Sequence, residues 1–485
     1  MNLWFLTEEK PKVSTLLQLL QLYCRDFGDI YWDYSAVVKI KPLFTDGVFS
    51  FTYLLENVKV DGINNVFIKT VSGSSSFFDY LLFRQEQEPA DSCMDNLLMA
   101  IEETKTGDDE SRNTGVYQRG SKFVHIKSFA PKVKQYMLYN DELGERKEKK
   151  PSDTSIFGTS ILLTLGVEIV GKSTEGRFRP FSSVEDLIRF KSKMRKPPAG
   201  NVPIDIKQNG NVIYISGRLS KPADAGNIGH DPNIGALSMI SACIRKLGWK
   251  SDIVITKHGV SQSYADRNCS NKFFHIARAL GVTLDGITFS GNVALPKRYW
   301  YYERNSEKVA SILLHVTAEY GGMREVYQNH AGCERGYFKT EEDGLIALPK
   351  YRSVSYTYEK KRKKKGGYKL KNGTIVENLF LPDLIICDKE SKSMLVVEGK
   401  KLQTQAAGLE EIENYYGIKE DYLDKYYPDY KVTVWLSLFG RELKSLDQLS
   451  DRVLLYLDNL GKTHIDDNAP ACIIDAFRKV KVYNS

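Results

Sequence analysis

Apolar positions in this chain change period repeatedly, and the changes mark an alternation of helices and strands. Residues 13–26 place leucines at 16, 17, 19, 20 and 22, the spacing of an amphipathic helix with one buried face. Short apolar blocks at 37–40, 49–54 and 66–70 have strand length, as do 77–83 and 97–105, which carry acidic residues within them. Ser182 and Ser183 open a short basic helix that Pro197 and Pro198 stop. Strands at 212–215, 253–256 and 287–289 then alternate with helices at 234–247 and 272–280. The pattern breaks between 291 and 306, after which Ser306 caps a helix with apolar positions Val309, Ile312, Leu313, Val316 and Tyr320, ending at Gly321. Residues 351–358 and 368–384 have strand character, 394–397 and 432–436 suit buried strands, and a helix is expected over 450–459. This alternation predicts an α/β fold with mixed sheets flanked by helices, in two modules, 1–298 and 299–485.

Composition narrows the class. At 485 residues the chain is long enough for two or three domains with large cores. Hydrophobic residues at 42% and charged residues at 27% are those of a soluble globular protein. No run approaches the roughly 20 apolar residues of a bilayer span, so no membrane partner is expected. The first residues lack the basic stretch of a secretory signal, and a cytoplasmic location is expected. The seven cysteines, at 24, 93, 243, 269, 333, 387 and 472, form no CxxC pair, and the histidines form no HExxH or HNH grouping. A structural zinc and a disulfide framework are therefore not expected. The glycine-punctuated loop at 226–235 matches neither a P-loop nor GxGxxG, which argues against a nucleotide cradle. A net charge of +7 permits a nucleic-acid partner without demanding one.

Chemistry enters at residues 381–400. Two apolar strands flank a polar turn at 388–393, with Asp383 opening the first strand and Glu398 and Lys400 ending the second. Glu398 and Lys400 are two apart and so share a face, which brings two carboxylates and an ammonium together. Such a trio suits phosphodiester hydrolysis: the acidic oxygens hold Mg²⁺, which prefers hard oxygen donors, and the lysine orients water or offsets charge on phosphorus. A second set with the same chemistry precedes it, Asp79 in one strand-like block and Glu103 and Lys105 at the end of another. Glu102 is the less suitable ligand, because alternation puts it on the face opposite Lys105. The basic run Lys360, Lys361, Arg362, Lys363, Lys364, Lys365 adjoins the Asp383 strand, where it can lie along DNA phosphates. His258 beside Gly259 is expected to be a turn residue or a DNA contact.

The Pro382-Asp383, Glu398 and Lys400 pattern resembles the PD-(D/E)XK nucleases with a FokI-like cleavage core. Asp79, Glu103 and Lys105, followed by Arg112, Asn113 and Arg119, resemble the EcoRI-like branch, although Phe78 stands where that pattern has proline. Together they resemble type IIS restriction endonucleases that carry both kinds of active site in one chain. The resemblance implies two restriction-endonuclease-like modules. It also implies metal ligands Asp79, Glu103, Asp383 and Glu398, lysines Lys105 and Lys400 beside them, and DNA contacts from Arg112, Asn113, Arg119 and the 360–363 run. The implied activity is Mg²⁺-dependent cleavage of both strands of double-stranded DNA at an asymmetric sequence, by a monomer on DNA. Two other readings stay open: a subunit that nicks one strand and needs a smaller nuclease partner, and a sequence-specific DNA-binding protein with a nuclease scaffold. The helix after Ser306 corresponds to one that can add an acid, for which Glu319 is a candidate, and Gln403, Gln405, Tyr415 and Tyr416 are expected behind the site.

Overall fold

The computed structural model describes residues 1–28, 31–34, 36–73, 77–91, 93–104, 115–140, 152–172, 176–194, 204–217, 232–269, 271–289, 299–303, 306–330, 337–347, 356–359, 367–370, 375–377 and 381–481. Contacts divide the chain into two compact units, one made of Met1–Leu3, Thr7–Thr70 and Tyr302–Ser485, the other of Trp4–Leu6 and Val71–Tyr301. The break at Tyr301 falls close to the expected one. Thr7–Thr70, by contrast, joins the C-terminal residues, through contacts that local sequence does not encode: Tyr320 Oη donates to Glu56 at 2.9 Å and Lys39 Nζ to the Tyr320 carbonyl at 3.4 Å.

The first unit is organised on a mixed sheet whose strands run, edge to edge, Arg324–Gln328, Leu384–Asp388, Ser393–Lys401, Lys431–Gly440, Val453–Asp458 and Thr463–Ile465. The first three are antiparallel neighbours; Lys431–Gly440 is parallel to Ser393–Lys401, and Val453–Asp458 is parallel to Lys431–Gly440. Helix Glu307–Gly321 lies on the sheet, with Ala471–Lys481 beside it. The segment from helix Gln405–Ile412 through Tyr430 forms a core with Ile385, Met394, Val396, Leu436 and Leu438. Helix Val13–Asp26 has the expected boundaries and buries Leu16, Leu19, Leu20 and Leu22. Val453–Asp458, expected to be helical, is instead a strand buried along its whole length. Its continuous apolar run has no helical period, and burial on both faces of a parallel pair requires none.

The second unit repeats part of this order. Tyr80–Gln85 pairs antiparallel with Leu97–Thr104, helix Gly115–Lys127 crosses over, and Lys134–Tyr139 returns parallel to Leu97–Thr104. Helix Asp153–Leu165, capped by Ser152, leads to Glu168–Val170, which is parallel to Lys134–Tyr139. A further sheet orders Asp205–Asn209, Val212–Ser216, Asp252–Thr256 and Val282–Leu284, with helices Pro232–Lys246 and Lys272–Ala279. The last strand lies ahead of the expected 287–289, because Val282 and Leu284 continue the parallel pairing with Ile253 and Ile255. The hairpin, crossover helix and parallel strand thus occur in both units. Among the described residues no helix is long and apolar enough to cross a membrane.

Candidate active sites

In the first unit the short hairpin assembles the expected trio. Its register pairs Leu384 with Val397, so the next pair outward is Asp383 and Glu398. Asp383 Oδ2 accepts the backbone N–H of Gly399 at 2.9 Å, which fixes it at the mouth of the strand pair. Lys400 Nζ donates to Glu398 Oε1 and lies 3.0 Å from Glu411 Oε2 of the crossover helix. Tyr415 Oη donates to Glu398 Oε2 at 2.9 Å. Burial, then the charge of Glu398, pushes the Asp383 carboxyl up to about 8, with Glu307 adding to the rise. Glu398 is raised chiefly by burial, against the pull of Lys400. Lys400 is held above its ordinary range: burial opposes the charge, and Glu398 and Glu411 overcome it.

Two neighbouring carboxyls, both raised by burial and with the charge of Glu398 raising Asp383 further, are suited to a divalent cation, and their hard oxygens fit Mg²⁺. Two orphaned hydroxyls adjoin them. Ser311 on the Glu307–Gly321 helix and Ser437, the parallel partner of Gly399, are fully buried without hydrogen-bond partners among the described residues. A Cβ at Gly399 would overlap the Ser311 hydroxyl and approach Asp383 Oδ2 to 2.8 Å, so glycine is required by space. Glu307, Glu411 and Tyr415 come from separate elements. The only sequence signal for Glu307 is its place directly after the Ser306 cap, and Glu411 and Tyr415 are four apart.

In the second unit Tyr80 pairs with Ile101, so continuing the register sets Asp79 opposite Glu102. Asp79 Oδ2 accepts the backbone N–H of Glu103 at 2.6 Å. The Glu103 carboxylate accepts from Asn140 Nδ2 at 2.7 Å and from Tyr80 Oη at 3.2 Å. Glu102, 1% exposed, accepts from Lys122 Nζ of the crossover helix at 2.7 Å, with Arg119 Nε 3.9 Å away. Burial pushes Glu102 up to about 7; Lys122 opposes this and the charge of Asp79 adds to it. Lys272 is 5% exposed, and its ammonium has no hydrogen-bond partner among the described residues. Burial, then the like charge of Lys122, lowers it to about 7. Arg119, expected to contact DNA, thus lies beside Glu102. Lys105, Arg112, Asn113, Lys360, Lys361, Arg362 and Lys363 lie outside the described residues. His258 is a turn residue: Nδ1 accepts from Val260 N and Nε2 meets the Asp285 carbonyl, each at 2.9 Å.

Glu319 belongs to another cluster. His315, Glu319 and Glu325 offer one ligand atom each within 4.8 Å of one another and can hold a metal ion. Lys10 Nζ, however, lies 2.5 Å from Glu319 and 3.8 Å from Glu325, and Lys339 lies 2.6 Å from Glu325, so cationic side chains already neutralise both acids. No protein-family model matches the chain, and no curated protein or solved structure matches it either.

Proposed function

We propose that the chain is a site-specific endonuclease of the type II class that hydrolyses double-stranded DNA with Mg²⁺, using two different sites to cut both strands at an asymmetric sequence. The observation that carries this reading is the convergence of Asp383, Glu398 and Lys400 at the open end of one hairpin, with burial and the charge of Glu398 raising Asp383. Asp383 and Glu398 would hold the metal, which when bound polarises the phosphate and supplies positive charge to the transition state. Tyr415 fixes Glu398 through Oε2, leaving Oε1 for Lys400. Lys400, kept charged by Glu398 and Glu411, orients the attacking water or offsets charge developing on the phosphate. The repeated hairpin, crossover helix and parallel strand, again with an aspartate at the mouth facing a glutamate, supports a second site in the other unit. The basic run at 360–365 supplies phosphate contacts in this reading.

A second reading, a subunit that nicks one strand and relies on a smaller partner, is favoured by one observation. Thr104 stands two residues beyond Glu102, where the other hairpin has Lys400 two residues beyond Glu398. One plasmid assay separates the readings. With Mg²⁺, linear product supports two working sites and open circles support one, whereas bound but uncut DNA supports a binding module. EDTA should abolish cleavage and leave much of the binding; full activity in EDTA would sink the metal assignment.

A further inference from the structure

The geometry points to Asp79, Glu102 and Lys122 as the working trio of the second unit, with the lysine supplied by the crossover helix instead of the strand. This rests on the nuclease reading and assigns residues within it. Superposing the two hairpins by register makes Glu102 the counterpart of Glu398, since each is the residue opposite the mouth aspartate. The aspartate's hydrogen bond gives the same answer independently. Asp383 takes the N–H of the residue after Glu398, and Asp79 takes the N–H of the residue after Glu102. Both glutamates meet side chains from the segment that follows their strand, Glu398 with Tyr415 and Glu102 with Lys122 and Arg119. Under this correspondence Glu103 takes the place of Gly399, and Thr104, 1% exposed, takes that of Lys400.

The cation missing from the strand is present nevertheless. Lys122 Nζ donates to Glu102 Oε1 as Lys400 Nζ donates to Glu398 Oε1, and each lysine side chain is 18% exposed, enough to meet a phosphate or water from outside. Neutralising a buried acid is the simpler role for Lys122. It does not account for Lys272, a second lysine, 5% exposed, whose Nζ has no hydrogen-bond partner among the described residues. A buried lysine nitrogen left without a partner costs stability, and an incoming phosphate would offset that cost by accepting its hydrogen bond. In the reaction a water oxygen bonds to phosphorus as the bond to the leaving sugar oxygen breaks. One water proton ends on that oxygen, and no further reagent is consumed.

The test uses the full chain, Mg²⁺ and strand-labelled DNA that the wild type linearises. Lys122→Ala should slow one strand by about 100-fold or more, the size of effect seen when a single transition-state donor is removed. It should be the same strand that Asp79→Ala silences, with the other strand cut normally. Lys105→Ala should cut both strands normally. The double variant Lys122→Ala with Thr104→Lys, which recreates the arrangement of Lys400, should recover cleavage of the affected strand; a purely structural loss would not be mended this way. Thermal unfolding of each variant checks that the second unit remains folded. Lys122→Ala cutting both strands at the wild-type rate, or Lys105→Ala silencing the strand that Asp79→Ala silences, overturns the assignment while leaving the nuclease reading intact. A wild-type chain that cuts no DNA with any divalent cation overturns the nuclease reading, and this trio with it.

Discussion

Asp383 Oδ2 receives the backbone N–H of Gly399 at 2.9 Å, and this bond fits only because residue 399 has no side chain. Gly399→Ala would drive a methyl into the Ser311 hydroxyl and towards Asp383. Overpacking of this kind typically costs about 1–3 kcal/mol. The expected outcome is a lower unfolding midpoint together with loss of cleavage on the strand served by Asp383. Gly399→Ala combined with Ser311→Gly should recover part of both, as read by thermal unfolding and strand-labelled DNA.

Each aspartate should govern one strand. Asp79→Ala and Asp383→Ala are each expected to convert the enzyme to a nickase, with opposite strands cut, since losing a metal ligand removes several kcal/mol of transition-state stabilisation. Nicked products mapped on strand-labelled DNA check this. Double-strand breaks at the normal rate from either variant, or the same strand nicked by both, would defeat the two-site reading.

Metal and protons should exchange at the Asp383 site. With its carboxyl raised from 3.8 to about 8, the native, metal-free chain binds a proton that the unfolded chain has released. Stability should therefore fall as pH rises from about 4 to 8, the window between the unfolded and folded values. Mg²⁺ requires the ionised form, so binding at pH 7 should release up to about one proton at this site and restore the lost stability. Calorimetric titration in two buffers of different ionisation enthalpy measures the release, and unfolding midpoints across pH with and without Mg²⁺ measure the stability. Asp383→Asn should remove both effects.

Lys10 is 4% exposed in its side chain and bridges Glu319 and Glu325. Removing one partner from a buried ionic network typically costs about 3–5 kcal/mol, so Lys10→Ala should be strongly destabilised in thermal unfolding. Glu319 is lowered to about 2, Lys10 and His315 outweighing burial. A depressed acid stabilises above its unfolded value of 4.5 and loses that contribution as pH falls towards 2, a decline that should flatten in Lys10→Ala. His315, Glu319 and Glu325 remain in the variant, so Zn²⁺ should raise its unfolding midpoint more than that of the wild type.

Short-range order in the chain carries its helices and one of its two hairpins. The leucine spacing of 13–26 produced the helix at its expected bounds, and the four-residue turn between Leu384–Asp388 and Ser393–Lys401 fixed a register that brings Asp383, Glu398 and Lys400 together. The second hairpin was not legible in the same way. A bulge between Leu82 and Phe83 shifts its register, and that shift decides which residue stands opposite Asp79. Counting along the strand pointed to Glu103 with Lys105; pairing across it set Glu102 opposite Asp79, with Lys122 arriving from the crossover helix. Glu307 and Glu411 reached the first site from other elements, and Thr7–Thr70 joined Tyr302–Ser485 across most of the chain. The apolar run Val453–Asp458 shows the same limit, since its sequence suits either a buried strand or a helix and the parallel edge of Lys431–Gly440 chose the strand. Periodicity records which face of an element is buried; which partner covers that face, and in what register, is settled only when the elements pack.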